Sequence, residues 1–140
     1  MDNHSPAKQT TFYAIGLSYK KADAEIRGKF SLDATAKTNL LKQAKSNGIE
    51  SLIVTSTCNR TEIYGFAQHP FQLIHLLCEN SVGTVEEFQK YAYVYKQKEA
   101  LNHIFRVGTG LDSQILGDFE IISQLKSAFV ESKKRNLANA

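Results

Sequence analysis

The feature that most constrains the fold of this chain is its hydrophobic periodicity, which changes between two and about 3.6 residues from segment to segment. The segment 10–18 alternates with a period of two and predicts a strand with two distinct faces. One face carries Phe12, Ala14 and Gly16, and the other carries Tyr13, Ile15 and Leu17. A helical period follows, for which Ser31 is the expected N-cap and Gly48 lies just past the expected end. Its apolar positions include Ala34, Leu40, Leu41 and Ala44.

The rest of the chain continues to alternate between strand and helix patterns. Strands are predicted at 51–55 and 61–67, and Pro70 is expected to open a helix. The apolar stripe of that helix consists of Phe71, Ile74, Leu77 and Cys78. Tyr91, Tyr93 and Tyr95 alternate with smaller residues and predict a fourth strand. The helical period returns at Lys96, and a final long helix is expected to carry Ile115, Ile122, Leu125 and Phe129 on one side.

This order of strand, helix, strand, strand, helix and strand is the split βαβ pattern of ferredoxin-like folds. We therefore predict an α+β fold with an antiparallel sheet, helices on one face of the sheet, and further carboxy-terminal helices. A length of 140 residues suits one domain. The expected divisions are a flexible segment at 1–10, the ferredoxin-like domain at 11–112, and a helix at 113–140 that closes the domain and begins a linker.

Composition narrows the class of protein further. The content of 42% hydrophobic and 22% charged residues is that of an ordinary soluble globular protein, and we find no signal-peptide pattern and no apolar run of membrane-spanning length. Two cysteines, Cys58 and Cys78, are too few for a disulfide framework, which favours a reducing cytoplasm. The net charge of +3 permits contact with a polyanion but does not require it.

Cys58 is the residue whose surroundings most favour chemical reactivity. It lies in the polar run 55–64, directly after the predicted strand at 51–55, with Arg60 two residues further on. Nearby positive charge and hydrogen-bond donors favour the thiolate, which is the nucleophilic form of cysteine. The alternative is a small buried hydrophobic residue at a strand end. We expect Cys58 to be partly exposed in a cleft and Cys78, on an apolar stripe, to be buried.

The run 55–64, Thr-Ser-Thr-Cys-Asn-Arg-Thr-Glu-Ile-Tyr, resembles the active-site segment of the glutamyl-tRNA reductase family. Segments 16–20, 25–30 and 103–117 resemble that family in the same order and spacing. The resemblance extends from about Phe12 to Phe129 and corresponds to the amino-terminal part of such an enzyme.

This resemblance implies an NADPH-dependent enzyme of five-carbon tetrapyrrole biosynthesis, in which Cys58 attacks the ester of glutamyl-tRNA. The resulting thioester is reduced to glutamate-1-semialdehyde by NADPH bound to a domain that this chain lacks. We therefore expect the 140 residues themselves to bind no cofactor. The resemblance also implies a cytoplasmic homodimer formed through a missing carboxy-terminal domain, with no membrane contact and with this fragment monomeric.

The resemblance also suggests roles for individual residues near the nucleophile. His103 is assigned a catalytic role, although a histidine beside an apolar stripe is often structural. Arg60 is assigned to the carboxylate of the substrate glutamate, with a surface salt bridge to Glu62 as the alternative. Thr57, Asn59 and Ser113 are assigned to substrate binding, although Ser113 could simply cap the last helix. Phe119 and Glu120 depart from the family pattern and receive no role, whereas Asp118 keeps the family's negative charge on a shorter side chain.

Two other functions are alternatives to this one. A small RNA-binding module would use exposed aromatic residues of the sheet, such as the three tyrosines of the fourth strand, and a structural Cys58. A redox-sensing protein would need a resolving cysteine, and no CxxC motif is present. The cysteines and histidines show no ligand spacing, so no metal site is predicted.

Overall fold

The computed structural model describes residues 10–107 and 114–116. The strands are β1 (Thr11–Ser18), β2 (Leu52–Ser56), β3 (Arg60–Ala67), β4 (Tyr93–Lys96) and β5 (Gln114–Leu116). The helices are α1 (Ala24–Lys29), α2 (Ala34–Ser46), α3 (Pro70–Glu79), α4 (Val85–Tyr91) and α5 (Lys98–Val107).

The five strands form one antiparallel sheet in the order β4-β1-β3-β2-β5. β1 and β3 lie at its centre and pair along their full length, from Thr11 opposite Ala67 to Ser18 opposite Arg60. The order of the first four strands is that of a ferredoxin-like sheet, and β5 extends it beside β2. The predicted α+β fold with an antiparallel sheet is confirmed.

One face of the sheet packs against α2, α3 and α4 and forms the larger hydrophobic core. Ile15, Val54 and Ile63 from the strands contribute to this core together with Leu40 of α2 and Leu73 of α3, and all five are fully buried. Burial of each such side chain stabilises the fold by about 1.5–3 kcal/mol. The predicted two-faced alternation of β1 is confirmed, because Tyr13, Ile15 and Leu17 all lie on this side.

α5 covers the opposite face, so this part of the sheet has helices on both sides. Ala100 and Ile104 of α5 pack against Phe12, Ile53 and Tyr64 in a second, smaller core. The expectation of helices on one face holds for α2, α3 and α4 and does not extend to α5. The physical reason is that β1 is apolar on both faces, and an antiparallel sheet of that kind needs a covering layer on each side.

Several local predictions were wrong. Asp33, not Ser31, caps α2, since its carboxylate accepts a hydrogen bond from the amide of Ala36 at 2.8 Å.

Tyr91 ends α4, and the fourth strand begins only at Tyr93. Ile115 lies in β5 and not on the final helix. The helix α4 was missed, although Thr84 and Glu87 form a capping box at its start.

Other predictions lie outside the described residues. These include Ser113, nearly all of the flexible segment 1–10, and the remainder of the final helix within 113–140. Among the helices that the structure describes, none is both long enough and apolar enough to cross a membrane.

Candidate active site at the Cys58 hairpin

Cys58 lies at the tip of the hairpin that joins β2 to β3. The loop contains only Thr57, Cys58 and Asn59, and the amide of Thr57 donates to the carbonyl oxygen of Arg60 at 2.8 Å. The hydroxyl oxygen of Thr57 accepts hydrogen bonds from the amides of Asn59 at 3.2 Å and of Arg60 at 3.3 Å. The loop is thus tightly closed by its own main chain, and the Cys58 side chain is exposed.

Hydrogen bonds from α1 and from the segment that precedes it hold this loop in place. The amide of Tyr19, directly after β1, donates to the carbonyl oxygen of Asn59 at 2.9 Å. Arg27 of α1 donates through Nε to the carbonyl oxygen of Cys58 at 3.1 Å. The cysteine is therefore presented to solvent on a main chain that is anchored by segments distant in sequence.

Cys78 has a different environment. It packs against the larger core from α3, but it is only half-buried and not fully buried as predicted. Burial, and to a lesser extent the charge of Glu87, raises the pKa of its thiol above the ordinary value. Cys78 is therefore held in its unreactive, protonated form.

This contrast predicts the order in which the two cysteines are alkylated. A brief treatment with iodoacetamide should label Cys58 first, because the thiol of Cys58 is accessible and that of Cys78 is partly shielded and protonated. Peptide mapping by mass spectrometry measures both rates in one sample. Faster labelling of Cys78 would show that the hairpin does not present Cys58 in this way.

A buried carboxylate, Glu62, forms the centre of a polar cluster on the α5 side of the sheet. Glu62 is fully buried, and its Oε1 accepts a hydrogen bond from the hydroxyl of Tyr64 at 2.6 Å. Its Oε2 contacts Nε2 of His103 at 2.5 Å and accepts a hydrogen bond from the hydroxyl of Tyr93. Arg60 completes the cluster, with Nη1 at 3.6 Å from Oε1.

The cluster keeps Glu62 ionised. Burial opposes the charged form, but hydrogen bonds from His103, Tyr64 and Tyr93 outweigh it and hold the pKa of Glu62 below its ordinary value. Burial, then the charge of Glu62, raises the pKa of both phenols far above their usual range, so Tyr64 and Tyr93 act as donors. Because an ionised carboxylate can only accept hydrogen bonds, Nε2 of His103 carries a proton and donates a hydrogen bond to Glu62.

The pleat of the sheet explains why these residues meet. Arg60, Glu62 and Tyr64 alternate along β3 and share the face toward α5. Gly16 of β1 lies opposite both Glu62 on β3 and Tyr93 on β4. A Cβ atom at Gly16 would lie 2.3 Å from the carbonyl oxygen of Thr61 and 2.9 Å from Cγ of Glu62. Glycine therefore leaves the space through which the carboxylate reaches across β1 to the Tyr93 hydroxyl.

His103 is enclosed by aromatic rings as well as by this hydrogen bond. Its ring centre lies 4.8 Å from that of Tyr95, 5.1 Å from that of Tyr93 and 6.3 Å from that of Tyr64. The side chain is buried. With Nε2 committed to Glu62, Nδ1 is the only ring nitrogen left to exchange a proton with another molecule.

The structure thus brings the predicted residues together in two groups. Thr57, Cys58 and Asn59 form the loop, whereas Arg60 and His103 both contact Glu62. Within residues 10–107 and 114–116, no hydrogen bond joins His103 to Cys58. The alternative of an ion pair between Arg60 and Glu62 is present, but the carboxylate is buried and not on the surface.

Glu62 is the residue of this site whose role the sequence analysis missed. A signal existed, because the strand period places Glu62 on the same side of β3 as Tyr64. Among the described residues, no group of three or more histidine, cysteine or acidic side chains could hold a metal ion.

These features define a class of protein: a ferredoxin-like α+β domain that presents an exposed cysteine at the tip of a hairpin and holds a buried carboxylate–histidine pair on the α5 side of its sheet. The family is established by comparison with known proteins. The chain belongs to the glutamyl-tRNA reductase amino-terminal domain family, since the family described as "Glutamyl-tRNAGlu reductase, N-terminal domain" matches residues 15–140.

Individual relatives agree with this assignment. The chain is 77% identical over 140 residues to the glutamyl-tRNA reductase of Flavobacterium psychrophilum, with all of this chain and 34% of that protein covered. It is 35% identical to glutamyl-tRNA reductase of Acinetobacter baumannii, covering 89% of this chain and 29% of that one. The solved glutamyl-tRNA reductase from Methanopyrus kandleri is similar over 88% of this chain and 28% of its own, with 25% identity and a TM-score of 0.53. The chain spans about a third of the length of the curated relatives it matches.

Proposed function

We propose that this chain is the acyl-accepting catalytic domain of a glutamyl-tRNA reductase, with Cys58 as the nucleophile. The sulfur of Cys58 forms a bond to the ester carbonyl carbon of glutamyl-tRNA, and the bond to the terminal ribose oxygen breaks. The thiol proton ends on that leaving oxygen, so the tRNA departs with a free hydroxyl and glutamate remains as a thioester. The observation that carries this proposal is the exposed Cys58 on a hairpin loop whose main chain is held in place.

Arg60 is proposed to bind the side-chain carboxylate of the glutamyl group. Its guanidinium is only partly exposed and touches Glu62 through one nitrogen, Nη1. A guanidinium has five N–H donors, so a pair of them remains for a second carboxylate in the two-pronged geometry that arginine favours. Thr57, Asn59 and Ser113 are proposed as further polar contacts for the substrate.

His103 is proposed as the catalytic residue that moves a proton at this site. The support is its fixed orientation, because Nε2 is bonded to Glu62 and Nδ1 is the ring nitrogen that remains for a proton transfer. Glu62 orients the ring and stabilises the imidazolium whenever a proton is taken up. In this division of roles, Glu62 acts through His103 and does not touch the reacting atoms.

The family's second step requires NADPH, which supplies a hydride for reduction of the thioester to glutamate-1-semialdehyde. A dinucleotide site of the common type needs a strand followed by a three-glycine turn and a helix. The part of the chain that the structure describes has no such arrangement, so we assign the residues present no part in binding NADPH. The reduction belongs to another part of the reductase.

The finer attributes of the whole enzyme are proposals as well. Glutamyl-tRNA is the proposed partner, the cytoplasm is the proposed compartment, and a homodimer assembled through a carboxy-terminal domain is the proposed assembly. A reducing cytoplasm fits the chemistry because Cys58 must remain a free thiol in order to react.

The chain alone should form the thioester but no semialdehyde. Incubation with glutamyl-tRNA and NADPH should yield a glutamyl adduct on Cys58, seen by intact mass, or free glutamate where water removes it. Cys58→Ser should abolish the thioester, whereas Cys78→Ser, the matched control on α3, should retain it. An adduct on Cys78, or no acyl transfer from glutamyl-tRNA, would contradict Cys58 as nucleophile. Semialdehyde produced by the chain would contradict the proposal that NADPH binds to another part of the reductase.

The RNA-binding alternative receives no support from the aromatic residues it would use. Tyr91 lies at the end of α4, and the hydroxyl of Tyr93 is bonded to Glu62. Tyr93 and Tyr95 stack on each other with ring centres 5.1 Å apart and pack against His103. The rings of Tyr93 and Tyr95 therefore pack within the polar cluster and do not form an open platform for bases.

A further inference from the structure

Arg27 contacts the main chain of the nucleophile, although it lies 31 residues earlier in the sequence. It belongs to the segment 25–30, which is part of the family pattern but has no role in the proposed chemistry. Its Nε donates to the carbonyl oxygen of Cys58 at 3.1 Å, and its Nη1 donates to the carbonyl oxygen of Ala22 at 2.7 Å. One planar guanidinium thus links two separate stretches of main chain.

The second stretch is itself firmly fixed. Ala22 is almost fully buried, and its amide donates to the carbonyl oxygen of Ser18, the last residue of β1, at 3.1 Å. Tyr19, in the same stretch, holds the carbonyl group of Asn59. Two consecutive carbonyl groups of the hairpin loop are therefore held from outside, that of Cys58 by Arg27 of α1 and that of Asn59 by Tyr19 in the segment that connects β1 to α1.

Arg27 also differs from Arg60 in what it contacts. Arg60 is the nearest arginine in sequence, but its guanidinium is directed to Glu62 on the α5 side of the sheet. Arg27 makes no ion pair with any described residue, and its guanidinium donates hydrogen bonds to two main-chain carbonyl oxygens. Hydrogen bonds from a charged donor are roughly twice as strong as those between neutral groups.

We propose that Arg27 is a positioning residue, which fixes the peptide group of Cys58 so that its thiol meets the substrate ester in a reactive orientation. This inference rests on the proposed function, because it specifies how the nucleophile of that reaction is held. Without Arg27, the carbonyl group of Cys58 loses its hydrogen-bond donor at the tip of a three-residue loop. Misplacement of a reacting group by about 1 Å lowers a rate by on the order of a hundredfold.

The test compares Arg27→Ala and Arg27→Lys with Lys29→Ala as the matched control. Lys29 is on the same helix, but its Nζ bonds to Glu87 at 2.6 Å and does not reach the loop. Arg27→Ala should slow single-turnover acylation of Cys58 by glutamyl-tRNA by about ten- to a hundredfold, with an unchanged half-saturating concentration. Arg27→Lys should recover only part of the rate, since one ammonium does not reproduce the planar fork. Lys29→Ala should acylate at the unaltered rate.

A second measurement reports on the loop without any substrate. Hydrogen exchange of the amides of Asn59 and Arg60, which are bonded to Thr57, should be at least about tenfold faster in Arg27→Ala and unaltered in Lys29→Ala. Exchange in the centre of β1 and β3 verifies that each variant is folded, and Arg27→Lys decides the comparison should Arg27→Ala unfold. Unchanged loop exchange in a folded Arg27 variant overturns the positioning role. An unaltered protein that takes no glutamyl group contradicts the proposed function instead, and the exchange measurement still decides the role of Arg27.

Discussion

Replacing Glu62 with alanine should destabilise the domain by about 3–5 kcal/mol, a large fraction of the stability of a domain of this size. The substitution removes the acceptor of three donors, the buried Tyr64 hydroxyl and His103 Nε2–H and the partly buried Tyr93 hydroxyl. Each donor left without a partner away from water costs about 1–3 kcal/mol. The loss therefore comes from the groups that remain as much as from the carboxylate itself.

Urea unfolding followed by circular dichroism measures this change, and Glu50→Gln is the matched control. Glu50 is an exposed residue before β2, and a surface substitution of that kind should change the free energy of unfolding by no more than about 0.5 kcal/mol. Equal stability of Glu62→Ala and the unaltered chain would show that the cluster contributes nothing to the fold.

The pH dependence of Glu62→Gln tests the charge of the cluster separately. The pKa of Glu62 is lowered in the folded chain from an ordinary value of 4.5, so its ionised form is favoured by folding. This contribution is fully present above pH 4.5 and is lost as the pH falls through the lower, folded-state pKa. The difference in free energy of unfolding between the unaltered chain and Glu62→Gln should therefore shrink between pH 7 and about pH 3. A difference that stays constant or grows on acidification would contradict an ionised Glu62.

The sheet was predictable because its strands are regular. Alternation in β1 assigned both faces correctly, and the predicted strands at 51–55 and 61–67 agree with β2 and β3 to within a residue. The start of α3 was predictable because Pro70 suits the first turn of a helix. These features depend on local chemistry that a single segment contains.

The parts that failed depend on competition or on distant contacts. Ser31 and Asp33 both have side chains that suit an N-cap. The structure shows that Asp33 accepts the hydrogen bond from the amide of Ala36 in α2, whereas the Ser31 hydroxyl donates to the carbonyl oxygen of Gly28. Ile115 fits a helical stripe, but pairing with β2 places it in a strand. A tertiary contact of this kind overrides local preference.

The site divides in the same way. The polar run around Cys58 predicted its exposure on a connection between strands, and Thr57 and Asn59 are indeed its neighbours in the loop. The second group was not predictable from spacing, because Glu62, Tyr93 and His103 meet only through pairing of β3 with β1, pairing of β1 with β4, and packing of α5. The sequence neighbours of Cys58 and the residues of the Glu62 cluster are therefore different sets.

Arg60→Ala should lower the second-order rate constant for acylation of Cys58 by glutamyl-tRNA by on the order of a hundredfold or more. The proposed partner of Arg60 is the side-chain carboxylate of the glutamyl group, and a charge buried without its partner costs several kcal/mol. Arg60→Lys should retain part of the rate, because lysine keeps the charge and loses the paired donors. Both rates are obtained from the growth of the thioester adduct by intact mass.

Glutaminyl-tRNA distinguishes recognition of the carboxylate from general damage to the site. Its neutral side chain cannot form an ion pair with Arg60, so its slow acylation rate should change little in Arg60→Ala, and the preference for glutamate over glutamine should collapse. The rate of Cys58 alkylation by iodoacetamide provides the control, since it does not involve the substrate carboxylate and should be retained. If both aminoacyl-tRNAs lost the same factor, the effect would instead come from Glu62, which Arg60 contacts at 3.6 Å, and the assignment of Arg60 to the substrate carboxylate would be wrong.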